Sequence, residues 1–308
     1  MKSIIVGLGT QGKKRKNILG RKLVGTVDTL NPEADVQYIE EIDVKTYDAI
    51  FCCVPDEAKM EIIQSALNLK KNILIEKPLI LQDISHFREL QIECNKKGIY
   101  LQSAYNHRYE PNLMKAKELI DKKEIGEIYS LRCFYGNGTA ALVAKSNWRN
   151  RGHGVGVDLG SHMLDLLLFY FGEQQYSLKS QIWNIETFCP DRALIFGDYG
   201  DVSVVLEASY LSWKNKFTLE IWGDKGTIIV QGLCKWGESI IEIHYRIFPS
   251  GEPNISKQIL VKGDTTWSEE IRLFHQSSVL GLATDLKRDE VIQKILKDSN
   301  LIQKWQPK

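Results

Sequence analysis

Residues 3–12 of the chain read SIIVGLGTQG. Three apolar residues, Ile4 to Val6, are typical of a buried strand and lead directly into a G-x-G-x-x-G pattern, and a helical stretch follows to Leu19. In this context Gly7 permits a tight turn, Gly9 lets the backbone approach a pyrophosphate, and Gly12 lets helix and strand pack closely. The free N–H groups and the dipole at the helix start favour phosphate. The segment therefore predicts a dinucleotide-binding turn, with cofactor contacts at Gly7, Gly9, Thr10, Gln11 and Gly12.

An acidic residue ends the second predicted strand, residues 22–27. Asp28 follows Gly7 by about 20 positions, the offset expected of a carboxylate that binds the ribose hydroxyls of a dinucleotide. Its alternative role is that of a turn aspartate at a strand end. No arginine follows it to pair with a 2′-phosphate, because the next residues are Thr29 and Leu30. We therefore expect NAD rather than NADP, and we interpret the basic run at residues 13–16 as a solvated helix face.

The triplet Glu76-Lys77-Pro78 follows a short apolar run, residues 73–75. Such a run is typical of a buried strand, and Pro78 ends it because proline cannot donate to a strand ladder. Lys77 is thus predicted at the carboxyl end of a central strand, which is the edge where open α/β sheets bind ligands. Its alternative role is that of a strand-end lysine reaching into solvent.

Strands and helices alternate through the first third of the chain. Further strands are predicted at residues 49–54 and 99–104, and helices at 56–69 and 84–97; Pro55 follows the strand 49–54. This alternation predicts a doubly wound parallel sheet that closes near Tyr105. The first predicted domain is therefore residues 1–105, a dinucleotide-binding Rossmann domain of the α/β class.

The pattern changes after residue 111. A helix is predicted at residues 112–123, and strands with antiparallel turn signals follow at 129–135, 181–188, 202–212, 217–222, 227–230 and 242–248. A last helix is predicted at residues 289–305 and could pack on either domain. The second predicted domain, residues 106–308, is therefore an α+β domain with a large, mostly antiparallel sheet for substrate binding and oligomerisation.

Composition excludes several classes of function. The chain has 308 residues, 43% of them hydrophobic and 26% charged, with a net charge of +1. That balance gives no reason to expect nucleic acid or an anionic membrane as a partner. No signal segment is evident at the N-terminus, and the longest apolar run is too short to span a bilayer. Six cysteines without a CxxC pair indicate reduced thiols and no metal site, so we expect a cytoplasmic protein.

A polar pair follows a glycine-rich segment in the second half of the chain. Asp158 and His162 are four positions apart, so on a helix they share a face. An apolar run continues the predicted helix into a core, which leaves the pair at the helix start. Asp158 could then hold the imidazole in one tautomer and raise its basicity. The alternative is that His162 is a structural histidine whose hydrogen bonds are satisfied in the core.

Together these motifs resemble the Gfo/Idh/MocA family of nicotinamide-dependent sugar and cyclitol oxidoreductases. The resemblance extends over essentially the whole chain. It rests on the glycine turn, on Glu76-Lys77-Pro78, on the Asp158–His162 segment, and on two further motifs, Tyr105-Asn106-His107-Arg108-Tyr109 and Trp148-Arg149.

The resemblance implies roles for individual residues. Lys77, Asp158 and His162 would form the catalytic set, with Lys77 and His162 at the nicotinamide. Cofactor contacts would include Pro55, Glu76 and Lys77. Contacts to a small sugar-like substrate would come from Asn106, Arg108, Trp148, Arg149 and His153.

The chain also departs from the family pattern. His153 stands where glycine is usual, and the link from Trp148-Arg149 to the glycine-rich segment is short, so the identity of the substrate stays open. Lys59 stands where histidine is common, and we expect little consequence.

The expected function is NAD-dependent hydride transfer at a ring secondary alcohol of a sugar, cyclitol or nucleotide sugar. One alternative is a regulatory protein of the same fold that binds NAD(P) without turnover. A methyltransferase could also carry a glycine turn and an acidic strand end, although it has no need of the Glu76–Pro78 triplet. An epimerase-like or glycosidase cycle that uses the cofactor as a reversible oxidant stays open as well.

The second domain also suggests an assembly. Its predicted sheet has many apolar residues, such as Ile221, Trp222, Ile228 and Val230. One face can be covered by the domain's own helices, and the other would be an exposed apolar patch in a monomer. The resemblance likewise implies pairing through this sheet. We therefore expect a homodimer or homotetramer.

Overall fold

The computed structural model of the chain describes residues 1–261 and 263–302. These residues form two compact units. The first unit joins Met1–Asn106 with a later segment, Trp267–Gln293, and the second contains His107–Thr266 and the described residues from Lys294 onward. The predicted domains are two continuous segments divided after residue 105. In the structure, residues 267–293 belong to the first unit and not to the second.

The described chain contains thirteen strands and ten α-helices. The strands are β1 (Ser3–Val6), β2 (Leu23–Val27), β3 (Ala49–Cys52), β4 (Asn72–Glu76), β5 (Leu101–Ala104), β6 (Ile128–Gly136), β7 (Tyr176–Trp183), β8 (Arg192–Tyr199), β9 (Val202–Ser209), β10 (Lys216–Gly223), β11 (Gly226–Gln231), β12 (Ser239–Tyr245) and β13 (Asn254–Leu260). The helices are α1 (Thr10–Leu19), α2 (Asp56–Leu69), α3 (Ser85–Lys97), α4 (Pro111–Asp121), α5 (Ala140–Ala144), α6 (Asn147–Asn150), α7 (Val155–Asp158), α8 (Gly160–Phe171), α9 (Thr266–Val279) and α10 (Lys287–Asp298).

The first unit is built on a five-stranded parallel sheet with the order β2-β1-β3-β4-β5. This confirms the predicted Rossmann sheet and all five of its strands. Because the strands are parallel, the residues that follow them gather at one edge of the sheet. Gly7 follows β1, Asp28 follows β2, Pro55 lies just after β3 and Lys77 follows β4.

Both faces of this sheet are covered by helices. On one face Ile50 and Ile73 belong to a core with side chains of α2 and α3. On the other face Phe51 packs with Phe274 of α9 at 5.6 Å between ring centroids, in a cluster that includes Leu19 of α1. α9 was not predicted from the sequence, although two of its residues, Ile271 and Phe274, belong to the core on the second face.

The second unit is built on an eight-stranded sheet with the order β13-β12-β11-β10-β6-β9-β8-β7. Only the β6–β9 pair is parallel among its described pairs, which confirms a large, mostly antiparallel sheet. α4 begins with Pro111 behind the cap of Glu110, whose carboxylate accepts hydrogen bonds from the next two backbone N–H groups. α4 and α8 pack against the central strands and bury alternate residues of each strand.

Three of the four residues named for an assembly patch lie on the covered side. Ile221, Ile228 and Val230 are fully buried, whereas Trp222 lies on the opposite face and is half-exposed. The sheet therefore has one face covered by helices and one open face, and of the four residues only Trp222 lies on the open face. Strand alternation explains this division, because neighbouring residues of one strand point to opposite faces.

Several predicted boundaries in the second unit were wrong. The strand predicted at 181–188 ends at Trp183, because backbone N–H groups of residues 185–187 donate to the buried carboxylate of Asp191 and fold a loop. Two strands, β8 and β13, were missed. The last predicted helix ends at Asp298, and its predicted end, residue 305, lies outside the described residues. Among the helices of the described chain, none combines the length and the apolar character that a membrane-spanning helix requires.

Candidate active site

The three glycines of the first turn differ in whether the surrounding chain leaves room for a side chain. Gly7 has φ +92°, and a Cβ there would lie 2.6 Å from the carbonyl oxygen of Cys53. A Cβ on Gly12 would clash with the carbonyl oxygen of Gly7. Gly9 is exposed, and a Cβ there would meet nothing within 4 Å in the described chain. The fold itself thus requires Gly7 and Gly12, while the open side of Gly9 fits the close approach of a phosphate at the start of α1.

Asp28 ties the strand end to the glycine turn. Its Oδ2 accepts a hydrogen bond from the Leu8 N–H at 2.7 Å, and its Oδ1 accepts from the N–H groups of Leu30 and Asn31, both at 2.9 Å. Burial opposes ionisation, but the three backbone donors outweigh it and hold the pKa of Asp28 below its ordinary value. The group is therefore a turn aspartate, and its charged oxygens keep acceptor capacity for ribose hydroxyls.

Glu76, a predicted cofactor residue, is bound by Arg15 of α1. Arg15 Nε donates to Glu76 Oε1 at 2.7 Å and Arg15 Nη2 lies 3.0 Å from the Glu270 carboxylate. The guanidinium also lies 4.7 Å from the ring centroid of Trp267. The side chain of Arg15 is only 1% exposed, so the interpretation of residues 13–16 as a solvated face was wrong for this residue. A buried guanidinium needs such partners, and they fix the residue before Lys77.

Lys59 fixes the residue after Lys77. Its Nζ donates to the carbonyl oxygen of Pro78 at 2.7 Å and pairs with Asp56 at 2.5 Å. Lys59 is 3% exposed, and the Lys77–Pro78 peptide bond is cis. We expected little consequence from this lysine, yet it holds the backbone beside Lys77. Lys77 itself is half-buried at the carboxyl end of β4, as predicted. Pro55, the other predicted cofactor contact, caps the start of α2.

In the second unit, Asp158 and His162 lie at the junction of two short helices. Asp158 is the last residue of α7, and His162 is in the first turn of α8, with Leu159 joining them. Asp158 Oδ2 accepts a hydrogen bond from the Tyr210 hydroxyl at 2.9 Å and lies 3.6 Å from a guanidinium nitrogen of Arg149. The structure therefore brings the predicted catalytic Asp158 and the predicted substrate residue Arg149 together.

His162 is buried in a group of aromatic rings. Its imidazole stacks on that of His107 with 3.9 Å between centroids and 17° between planes, and the ring of Tyr135 lies 6.1 Å away. Lys235 joins this group, with Nζ 3.0 Å from His107 Nε2. From the sequence, His107 stood out only as part of a motif, and Tyr135 and Lys235 were not predicted as site residues. No spacing rule could have found Lys235, since it follows β11 in a 3₁₀ turn (Cys234–Trp236) remote in sequence.

The remaining predicted substrate residues lie in different environments. Arg108 binds the fully buried carboxylate of Asp165 through Nε and Nη2. Asn106 is buried in the first unit, while Trp148 of α6 is 60% exposed and His153 is half-exposed before α7. In residues 1–261 and 263–302, no group of three or more His, Cys, Asp or Glu side chains is arranged to hold a metal ion.

Two family models match the chain. One, described as an oxidoreductase family with an NAD-binding Rossmann fold, covers residues 2–105. The other, described as the GFO/IDH/MocA C-terminal domain, covers residues 113–229. The chain belongs to the Gfo/Idh/MocA family. Lys77 falls within the first match of this Gfo/Idh/MocA protein, and Asp158 and His162 fall within the second.

Two relatives illustrate how far the similarity of this Gfo/Idh/MocA chain extends. It is 30% identical to oxidoreductase P35 of Formosa agariphila over 133 residues, which are 41% of each chain. It is 24% identical over 210 residues to scyllo-inositol 2-dehydrogenase (NADP(+)) IolW of Bacillus subtilis, and the match covers 66% of this chain and 57% of that protein. The chain therefore spans less than two thirds of the length of both relatives.

Solved structures of the family share the fold. GenD2 from gentamicin A biosynthesis, in complex with NAD, is similar with a TM-score of 0.79 and 17% identity, and the match covers 97% of this chain and 93% of that chain. At this identity the likeness concerns the fold alone.

Proposed function

We propose that this Gfo/Idh/MocA protein transfers hydride between NAD and a ring secondary alcohol of a sugar, cyclitol or nucleotide sugar. The observation that supports this most is the retained pair of reactive side chains. Lys77 directly follows β4 in the NAD-binding unit, and in the other unit His162 lies in the first turn of α8 and Asp158 ends α7 just before it. A protein that only bound the cofactor would have no need of both.

The chain's own residues would handle one proton and one developing charge. NAD, when bound, supplies the acceptor for the hydride. His162 would take the proton of the substrate hydroxyl as general base. The Lys77 ammonium would donate a hydrogen bond to that oxygen and stabilise the negative charge that develops on it. Asp158 would orient the substrate or the base, and its contacts to Tyr210 and Arg149 hold its carboxylate in place.

Contacts to the sugar-like substrate are proposed for the residues that the family pattern indicates. Arg108 is one of them, and its guanidinium also binds the buried carboxylate of Asp165. Trp148 offers an exposed indole, a surface on which sugar rings stack. The remaining candidates are Asn106, Arg149 and His153.

NAD is the proposed cofactor, with NADP less favoured. A 2′-phosphate beside the charged Asp28 would be repelled. Two cations of the basic run are already engaged, since Arg15 is buried against Glu76 and Lys13 pairs with Glu33 at 2.5 Å. These contacts leave fewer cations among residues 13–16 to pair with the 2′-phosphate of NADP and so offset its repulsion by Asp28.

The proposal also covers the cellular compartment and the oligomeric state of the protein. All six cysteines are free, which fits the reducing cytoplasm. We also propose a homodimer or homotetramer. It would form through the open face of the eight-stranded sheet, the side that carries Trp222 and lies opposite the buried Ile221, Ile228 and Val230.

Replacement of the two reactive residues tests the proposal. In Lys77→Ala and His162→Ala, turnover of a polyol or nucleotide sugar, followed by absorbance at 340 nm, should fall by about 10²–10³-fold. NAD affinity by fluorescence titration should change little, because the pyrophosphate and ribose contacts lie elsewhere. Lys96→Ala, at an exposed site of α3, is the matched control. Near-normal turnover by Lys77→Ala would contradict the assignment, and a wild type that binds NAD but turns over no substrate would indicate the regulatory alternative.

A further inference from the structure

Lys235 makes close contacts beside the candidate base. Its Nζ lies 3.0 Å from His107 Nε2 and 3.1 Å from the hydroxyl oxygen of Tyr135. The ammonium also lies 4.6 Å from the ring centroid of Trp236. It is therefore held between two hydrogen-bond partners and an indole face, an arrangement more specific than that of a surface lysine.

These contacts assign the state of His107. An ammonium group only donates, so the Nε2 atom that it contacts must act as acceptor. His107 is then neutral with its proton on Nδ1. The Tyr135 hydroxyl is likewise an acceptor from Lys235. Burial, together with the negative charges of Asp158 and Asp264, raises the pKa of Tyr135 far above its usual value, so the phenol keeps its proton.

The ordered His107 ring is in direct contact with His162. The two imidazoles are nearly parallel, 3.9 Å apart between centroids and 17° between planes. The Tyr135 ring stands against both, 5.2 Å from His107 and 6.1 Å from His162. A ring stacked on one face and bordered by a tilted ring on another has little freedom to rotate.

We propose that Lys235 is a positioning residue for His162 and acts through His107. By donating to Nε2, Lys235 fixes the tautomer and the orientation of the His107 ring. Because the two imidazoles are stacked, the orientation of His107 also sets that of the His162 imidazole. This inference rests on the proposed function, in which His162 is the base. Placement of a base matters because a misplacement of about 1 Å can cost roughly 10²-fold in rate.

The first test measures the imidazoles without substrate or cofactor. In the full chain with ¹⁵N-labelled histidine, His107 should show an unprotonated ε2 nitrogen and a protonated δ1 nitrogen, assigned with the variant His107→Gln. In Lys235→Met the two tautomers of His107 should mix, and the His162 ring signals should broaden or double. Lys235→Arg should keep the wild-type pattern. A protonated ε2 nitrogen in wild type, or unchanged His162 signals in Lys235→Met, would overturn the proposal.

The second test measures turnover. Lys235→Met should lower kcat by about 10- to 100-fold, whereas the KM for NAD should stay constant. Lys235→Arg should recover most of the loss, and Lys214→Met, at an exposed loop position, should have no effect. Normal kcat in Lys235→Met would overturn the inference while leaving His162 as the base. If wild type shows no turnover at all, the proposed function fails, and the histidine spectra still decide the role of Lys235. If Lys235→Met does not fold, the wild-type tautomer and the Lys235→Arg spectra decide it.

Discussion

Individual charges in the first unit are held by specific partners. In the proposed function, cofactor choice depends most on Asp28, whose carboxylate also anchors the glycine turn through Leu8. A substitution that removes the whole side chain would therefore confuse two effects. Asn at this position removes the charge and keeps one of the two acceptor oxygens that the turn uses, so it disturbs the turn less than Ala would.

We expect wild type to bind NAD more tightly than NADP and Asp28→Asn to narrow the difference. The physical reason is that the charge repels a 2′-phosphate, while the amide does not. Fluorescence titration of both cofactors with both proteins measures it, and Asp43→Asn, in an exposed turn after β2, serves as the control. Tighter binding of NADP than NAD by wild type would contradict the prediction.

Glu270 provides a pH-dependent prediction for the same unit. Burial raises the pKa of this carboxyl to about 7, with Glu76 adding to the rise and Arg15 opposing it. One guanidinium faces two carboxylates, so the fully buried Glu270 is the one that keeps a proton more readily. The folded state then binds more protons than the unfolded state between about pH 4.5 and 7.

By linkage, this carboxyl makes the unfolding free energy of wild type fall as pH rises through that window and then level off. In Glu270→Gln this side chain cannot ionise, so the fall in unfolding free energy with rising pH should be absent. Relative to wild type, the variant should therefore gain stability between pH 5 and 8, on the order of 3 kcal/mol at most. Urea unfolding of both proteins at the two pH values measures the gain. A stability difference that does not change with pH would rule this out.

The residue types in the candidate site were predictable where a local motif carried them. The glycine turn, Asp28 and Lys77 lie at strand ends that their own sequence indicates. His162 lies at a predicted helix start, although Asp158 ends a separate short helix, α7, that was not predicted. The partners of these residues were not predictable, because Arg15, Lys59 and Lys235 reach them across the fold. Lysine and arginine are mostly exposed, so their burial depends on a partner distant in sequence.

At the scale of elements, short apolar runs between glycine and proline signals located the first sheet well. The missed α9 shows the limit of that reasoning, since its apolar residues Trp267, Ile271 and Phe274 recur at helical spacing but lie far along the chain from the sheet they cover. β8 and β13 were missed because glycine or polar residues interrupt their alternation. Local pattern identifies an element, whereas the face it covers depends on contacts remote in sequence.

The role of α9 predicts a large effect for one core residue. Phe274 is fully buried and packs edge-on against Phe51 of β3. Phe274→Ala should lower the unfolding free energy by about 3–5 kcal/mol, since it removes a buried ring and leaves a cavity. Val279→Ala, on the same helix but 76% exposed, should cost far less. Equal urea midpoints for the two variants would show that α9 does not belong to this core.

At the scale of the whole molecule, the open face of the second sheet bears on assembly. Three aromatic residues on it carry a cation over their rings: Arg132 lies 5.2 Å from Trp222, Lys216 lies 5.4 Å from Phe134, and Arg192 lies 4.5 Å from Trp183. Aromatic residues and arginine are enriched at protein interfaces. This open face is therefore the surface through which we expect copies of the chain to pair.

We expect a dimer or a dimer of dimers in solution at micromolar concentration, because closed symmetry is the commonest solution for identical chains. Trp222→Glu should shift the mass measured by light scattering towards the monomer, since a carboxylate in a buried interface loses its hydration. Trp213→Glu changes the same residue type at a fully exposed loop position and should leave the mass unchanged. A wild type that is monomeric would contradict the assembly, and an equal loss in both variants would place the interface elsewhere than on the open face.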